Sequence, residues 1–120
     1  MSTEATYDIE FVEGEEGIDD PYIITVKNKD GTPADISWAT EVELYIKTKD
    51  LATQRMVAKK SDSTNPLVVV SPTVKWPMPS AQTTGYTGEH IAQIICSKTA
   101  GGNRKRKTYF LSVMVYQKTD

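Results

Sequence analysis

In TEVELYIKTK, residues 40–49, side chains of two kinds alternate from Glu41 to Lys47. Val42, Leu44 and Ile46 fall on one side; Glu41, Glu43, Tyr45 and Lys47 fall on the other. A repeat of two matches an extended strand with one buried face, whereas a helix of about 3.6 residues per turn would scatter these side chains around its surface. KTYFLSVMVY at 107–116 repeats the pattern, with Tyr109, Leu111, Val113 and Val115 on one face and Phe110, Ser112, Met114 and Tyr116 on the other. YDIEF gives Tyr7, Ile9 and Phe11 as inward positions, and YIITVKN gives Tyr22, Ile24 and Val26. LVVV at 67–70, TVKW at 73–76 and EHIAQIICS at 89–97 complete the apolar stretches. QRMVAKK at 54–60, flanked by lysines, reads as an edge strand.

Turn chemistry separates these runs. NKDGTP at 28–33 carries Asp-Gly followed by proline, and SDSTNP at 61–66 ends in Asn-Pro. WPMPS at 76–80 must leave the sheet, because its two prolines cannot donate to a ladder. No segment sustains a helical period, although PSAQTT at 79–84 has room for one turn. Short strands with regular punctuation, and no helices to carry parallel crossovers, predict an all-β, immunoglobulin-like antiparallel β-sandwich of seven to eight strands. At 120 residues the chain is the size of one domain, expected over residues 7–118 behind a flexible tail at 1–6. The expected core contains Ile24, Val26, Val42, Leu44, Ile46, Ile94, Leu111 and Val113, with Cys96 beside it.

Catalytic chemistry finds few footholds. The one histidine, His90, stands six residues before the one cysteine, Cys96, on the same strand. Six residues of strand span roughly 20 Å, too far for a nucleophile and its base. The sequence contains no Gly-x-Ser-x-Gly motif, no phosphate-binding glycine loop with its lysine, and too few soft ligands for zinc. EFVEGEEGIDDP at 10–21 gathers carboxylates but lacks the ordered spacing of a calcium loop, and reads as solvated charge. The expectation is a non-enzymatic chain with no cofactor and no metal. A single cysteine excludes an internal disulfide, and no apolar run is long enough to cross a bilayer.

The charges are unevenly placed. Between Asp8 and Asp20 stand seven acids and no base; between Lys98 and Lys118 stand six bases and no acid. GGNRKRKTYF at 101–110 concentrates the latter in Arg104, Lys105, Arg106 and Lys107. With TAGGN at 99–103 as a hairpin loop, these four mark the root of the last strand. Arg104 and Arg106 then face one side and Lys105 and Lys107 the other, so the run forms no flat basic stripe. Lys105 and Lys107 share parity with the inward Tyr109, which requires the hairpin to project beyond the core. The formal net charge of −2 and the lack of aromatics interleaved with the cations argue against a dedicated nucleic-acid-binding domain. In a sandwich of this order the loop after the first strand and the loop before the last lie at opposite poles. Arg104, Lys105, Arg106 and Lys107 at one pole, and Glu13, Glu15 and Glu16 at the other, are therefore the candidate protein-interaction residues.

Taken in order, PYIITVKNKDGTPADISWATEVELYIKTKD, VKWPMPSAQTTGYTGEHIAQI and KTYFLSVMV resemble the immunoglobulin-like N-terminal domain of phage upper baseplate (BppU-family) proteins and related phage tail modules. The likeness runs over residues 8 to 116: an apolar strand, an Asp-Gly turn, a V-E-L-x-I-K strand, a proline-bearing exit, and a glycine before an alternating strand. The family tends to place a tyrosine soon after that glycine; here His90 follows Gly88 and Tyr86 precedes it. The resemblance implies a structural protein of the virion, made in the host cytoplasm. It would be a tail or baseplate component docking on other virion structural proteins in a multi-copy assembly or homo-oligomer. A head-decoration or connector accessory protein is the first alternative. A weak nucleic-acid-binding module using the 104–107 hairpin is the second.

Overall fold

The computed structural model of the protein describes residues 7–17, 20–100 and 102–118; the expected tail at 1–6 lies outside them. Among the described residues eight strands form in chain order: β1 (Ile9–Val12), β2 (Tyr22–Thr25), β3 (Glu41–Lys47), β4 (Gln54–Lys59), β5 (Val68–Val70), β6 (Thr73–Trp76), β7 (Gly88–Ala100) and β8 (Asn103–Tyr116). One helical turn, α1 (Ser80–Thr83), lies between β6 and β7, where PSAQTT left room for it. The strands make two sheets, one ordered β1-β8-β7-β3-β4 and the other β2-β6-β5. Third, fourth, seventh and eighth strands on one layer, with second, fifth and sixth on the other, is the division seen in immunoglobulin-like sandwiches. The lysine-flanked β4 sits at a sheet edge, as its sequence predicts.

One pairing departs from the wholly antiparallel expectation. β1 runs parallel to β8, with Ile9 opposite Val113 and Val12 opposite Tyr116. Parallel neighbours cannot be joined by a tight turn and need a long crossover. Here the rest of the domain is the crossover, so no local signal in either strand announces the partner. All other strand pairings are antiparallel.

The core lies where the alternation places it. Ile24, Val26, Val42, Leu44, Ile46, Ile94, Leu111, Val113 and Cys96 are all buried. Tyr22 and Tyr7, read as inward, are only half-buried, because their hydroxyls find partners near the surface. The Tyr22 hydroxyl accepts the Glu10 N–H at 3.0 Å, and that of Tyr7 donates to Glu89 Oε1 at 2.8 Å.

Three further pieces of the core join the sheets: Ile36 and Tyr86, from segments without alternation, and Trp76 at the end of β6. Ile36, in the connection between β2 and β3, is fully buried, and its N–H donates to Ser71 Oγ at 3.0 Å. Trp76, also fully buried, meets Phe11 edge-on with ring centroids 5.4 Å apart. Its indole N–H donates to Gln82 Oε1 at 2.7 Å, and the Gln82 amide donates to the Val57 carbonyl at 3.2 Å. The single turn of α1 thereby satisfies the polar atom of the largest core side chain and ties it to the opposite sheet. Tyr86 follows, buried, with its hydroxyl donating to the Gln82 carbonyl. A tyrosine at the crossover between sheets, bonded to backbone a few residues upstream, is the tyrosine corner of immunoglobulin-like domains.

Leu44→Ala and Leu111→Ala should each lower stability by roughly 2–5 kcal/mol, the usual range for large-to-small core changes. Denaturant unfolding checks this, and a loss under about 0.5 kcal/mol at both positions would mean that these side chains do not face a packed interior.

Candidate functional site

The most charged feature of the fold grows from the β7–β8 ladder. Its pairing is continuous from Gly88 opposite Val115 to Ala100 opposite Asn103. The connection is thus shorter than the expected 99–103 loop, and Gly102 takes φ +80°, open to glycine at little cost. Arg104 and Lys105 accordingly belong to the strand itself, opposite Thr99 and Lys98. Asn103 to Lys107 are all exposed, Thr108 is half-buried and Tyr109 is the first buried residue of β8. The hairpin therefore projects beyond the core, as parity requires.

Its two faces differ. Lys105 and Lys107 continue the inner face: the Lys105 ammonium lies 4.2 Å from the Trp38 ring centroid, and that of Lys107 lies 5.2 Å from the Tyr109 ring centroid. Aromatic faces attract cations through the ring quadrupole, so these lysines are held rather than free. The Ser37 hydroxyl and N–H keep the Asp35 carboxyl below its usual range, with smaller contributions from the Ser71 hydroxyl and the Lys105 ammonium. Arg104 and Arg106 point to the outer face, and exposed Phe110 shares that face with them. Lys98 stands directly opposite Lys105, a like-charge cross-strand pair. Among the described residues no carboxylate is within ion-pairing distance of Arg104, Lys105, Arg106 or Lys107.

Among the described residues β8 is also open along one side. β7 covers one edge throughout, but β1 covers the other only from Val113 onward. At that limit Asp8 and Ser112 close the pairing reciprocally: the Asp8 N–H donates to Ser112 Oγ at 3.0 Å, and the Ser112 N–H donates to Asp8 Oδ2 at 2.9 Å. Beyond it runs a groove of about 990 Å³, walled by Lys107–Leu111 on one side and by Thr25, Lys27 and the 28–31 turn on the other.

The acidic turn lies at the far end of β8. The Glu13 N–H donates to the Tyr116 carbonyl at 2.9 Å, while the basic hairpin begins at Asn103, about 40 Å away along the strand. The two poles are opposed, as the strand order implies. The three glutamates, however, are not equivalent. Glu13 Oε2 accepts the Gly85 N–H at 3.1 Å, and Glu15 Oε1 accepts the Val12 N–H at 2.9 Å. Both carboxylates hold the turn in place, whereas those of Glu16 and Asp20, exposed like Glu15, bond to no other described residue. Gly17 permits the close packing here, since a Cβ would come within 2.9 Å of the Asp20 carbonyl oxygen.

His90 and Cys96 occupy separate places on β7. The His90 ring takes the Arg55 Nε–H at 3.3 Å, contacts the Gly88 carbonyl at 3.1 Å and stacks at a tilt on Tyr86, 5.2 Å between centroids. Cys96 is fully buried, and burial pushes its thiol up to about 11. Among the described residues no three metal-ligating side chains cluster, and no helix is long and apolar enough to cross a membrane. Sequence reasoning missed Trp38 as the seat of Lys105 and Tyr86 as the corner tyrosine. Trp38 carried no periodic signal in its turn-rich segment; Tyr86 carried one, a tyrosine just ahead of Gly88 and a strand.

Comparison of the chain with protein-family models, with curated proteins and with solved structures finds no match.

A buried thiol held neutral is a poor nucleophile. Cys96 should therefore resist alkylating reagents in the native protein at neutral pH and react fully once denaturant unfolds the chain. Stoichiometric labelling within minutes under native conditions would contradict its burial.

Proposed function

We propose that the chain is a non-enzymatic structural protein of a phage particle, first of all a tail or baseplate component that docks on other virion proteins in many copies. The observation that carries this reading is the opposition of the two charged poles across the length of β8. The basic pole gives the isolated fold no ion pair: beyond the aromatic seats of Lys105 and Lys107, its cations have no carboxylate within ion-pairing distance among the described residues, and Lys98 opposes Lys105. Such charges become favourable when a neighbour supplies anions, and they then set approach and register. Oppositely charged ends suit head-to-tail or side-by-side docking in a repeated assembly. The family resemblance over residues 8 to 116 supplies the phage context, with a head-decoration or connector role as the nearest alternative.

Arg104, Lys105, Arg106 and Lys107 changed together to serine should cost at most about 1–2 kcal/mol, from the two exposed cation–π contacts of Lys105 and Lys107, because exposed charges otherwise contribute little to folding. Incorporation into particles, or self-association at low salt, should fall clearly. At the other pole, Glu16→Lys with Asp20→Lys should impair assembly while sparing the hydrogen bonds of Glu13 and Glu15. Normal assembly of the hairpin variant at every salt concentration would reduce the hairpin to a solvated turn.

A second reading rests on Phe110, exposed on the same outer face as Arg104 and Arg106, where an unpaired base could stack. Only two of the four cations share that face, so binding of single-stranded DNA or RNA at physiological salt should be weak and sequence-independent. Submicromolar binding, abolished by neutralising residues 104–107, would reverse the ranking.

A further inference from the structure

We infer that the open edge of β8, from Arg104 to Phe110, is a docking slot for an extended acidic segment of a partner protein, which adds to the five-stranded sheet as a further strand. This deepens the docking role proposed above and rests on it.

The backbone decides which groups are on offer. Successive residues of a strand point their N–H and C=O groups to alternate sides. The Ser112 N–H meets Asp8 and the Tyr116 carbonyl accepts the Glu13 N–H, both on the side away from β7. Even-numbered residues of β8 therefore face the open edge, and odd-numbered ones bond to β7. Arg104, Arg106, Thr108 and Phe110 each present a donor and an acceptor along that edge. No strand among the described residues pairs there. A sheet edge of this kind is a template for an added strand, with main-chain hydrogen bonds supplying affinity and flanking side chains supplying specificity.

The flanking charges select the occupant. An added strand would run between Arg104 and Arg106 on the outer face and Lys105 and Lys107 on the inner, with Lys27 and Lys29 across the groove. The two acids lining the groove are already engaged: Asp8 accepts from Ser112, and Asp30 accepts from the Thr32 N–H and hydroxyl. A second copy pairing antiparallel through its own 104–110 edge would set Lys107 against Lys107 and bring the two basic runs close together, which opposes self-association. A neutral strand gains nothing from these side chains. An acidic one finds opposite charge on both of its faces.

The test uses the full chain and a capped decapeptide of alternating threonine and glutamate, with amide hydrogen exchange read residue by residue. The peptide should slow exchange at Arg104, Arg106, Thr108 and Phe110 by about tenfold or more, leaving Lys105, Lys107 and Tyr109 unchanged. A matched threonine–lysine peptide should have no effect. Thr108→Pro removes an outward N–H without touching the β7 ladder, and should weaken peptide binding by about tenfold while the four cations remain. Salt-sensitive peptide binding without the even-numbered protection would overturn strand addition while leaving charge-guided docking standing. Loss of the hairpin's role in particle assembly would instead remove the docking role itself. Protection of the same amides in the free protein would also overturn the inference. Concentration-independent protection would mean that the chain covers its own edge, and concentration-dependent protection that a second copy does.

Discussion

β8 is hydrogen-bonded to β7 along its length and to β1 over four residues at its C-terminal end, and the remaining layout follows from that shared strand. The register with β7 fixes how far the hairpin reaches beyond the core. The register with β1 fixes where the chain turns away towards β2, and so places the acidic turn. Because β8 spans the sheet, these two outcomes sit at its two ends. A slip of one residue would turn Tyr109, Leu111, Val113 and Val115 outward, and burial of that whole face is what holds the register.

The second sheet is small, three strands of three or four residues, and cannot rely on ladder bonds alone. Trp76 supplies what it lacks. Its ring fills the space against Phe11, and its indole N–H reaches Gln82, which in turn reaches β4 in the other sheet. Tyr86 then locks the path from α1 into β7. One large side chain, one amide and one phenol thus join the layers where the chain passes from one to the other.

The strands were legible because a half-buried strand leaves a period of two, and β3 and β8 show it cleanly. Parity carried the reading further, placing Lys105 and Lys107 beyond the core from the inward position of Tyr109 alone. Three features left no such trace. Ile36 is buried by a connection that folds back over the sheet, which periodicity cannot register. The parallel partner of β1 lies about a hundred residues away in sequence, so the pairing is a property of the closed sandwich rather than of either segment. Glu13 and Glu15 looked like solvated charge, yet their carboxylates satisfy backbone N–H groups that only the folded turn brings near. The charge poles were visible as composition; which of their members are free to meet a partner was not.

The separation of the poles changes what the chain's small net charge means. At physiological ionic strength the Debye length is about 8 Å, while the domain's longest dimension is 52 Å. A molecule approaching the hairpin is several screening lengths from the acidic turn and does not feel it. The net charge of −2 conceals two surfaces that behave as separate ions, and each end chooses its company by its own local charge. At low salt the screening length grows towards the size of the domain, and the ends then act together as one large dipole that turns the molecule before it touches anything.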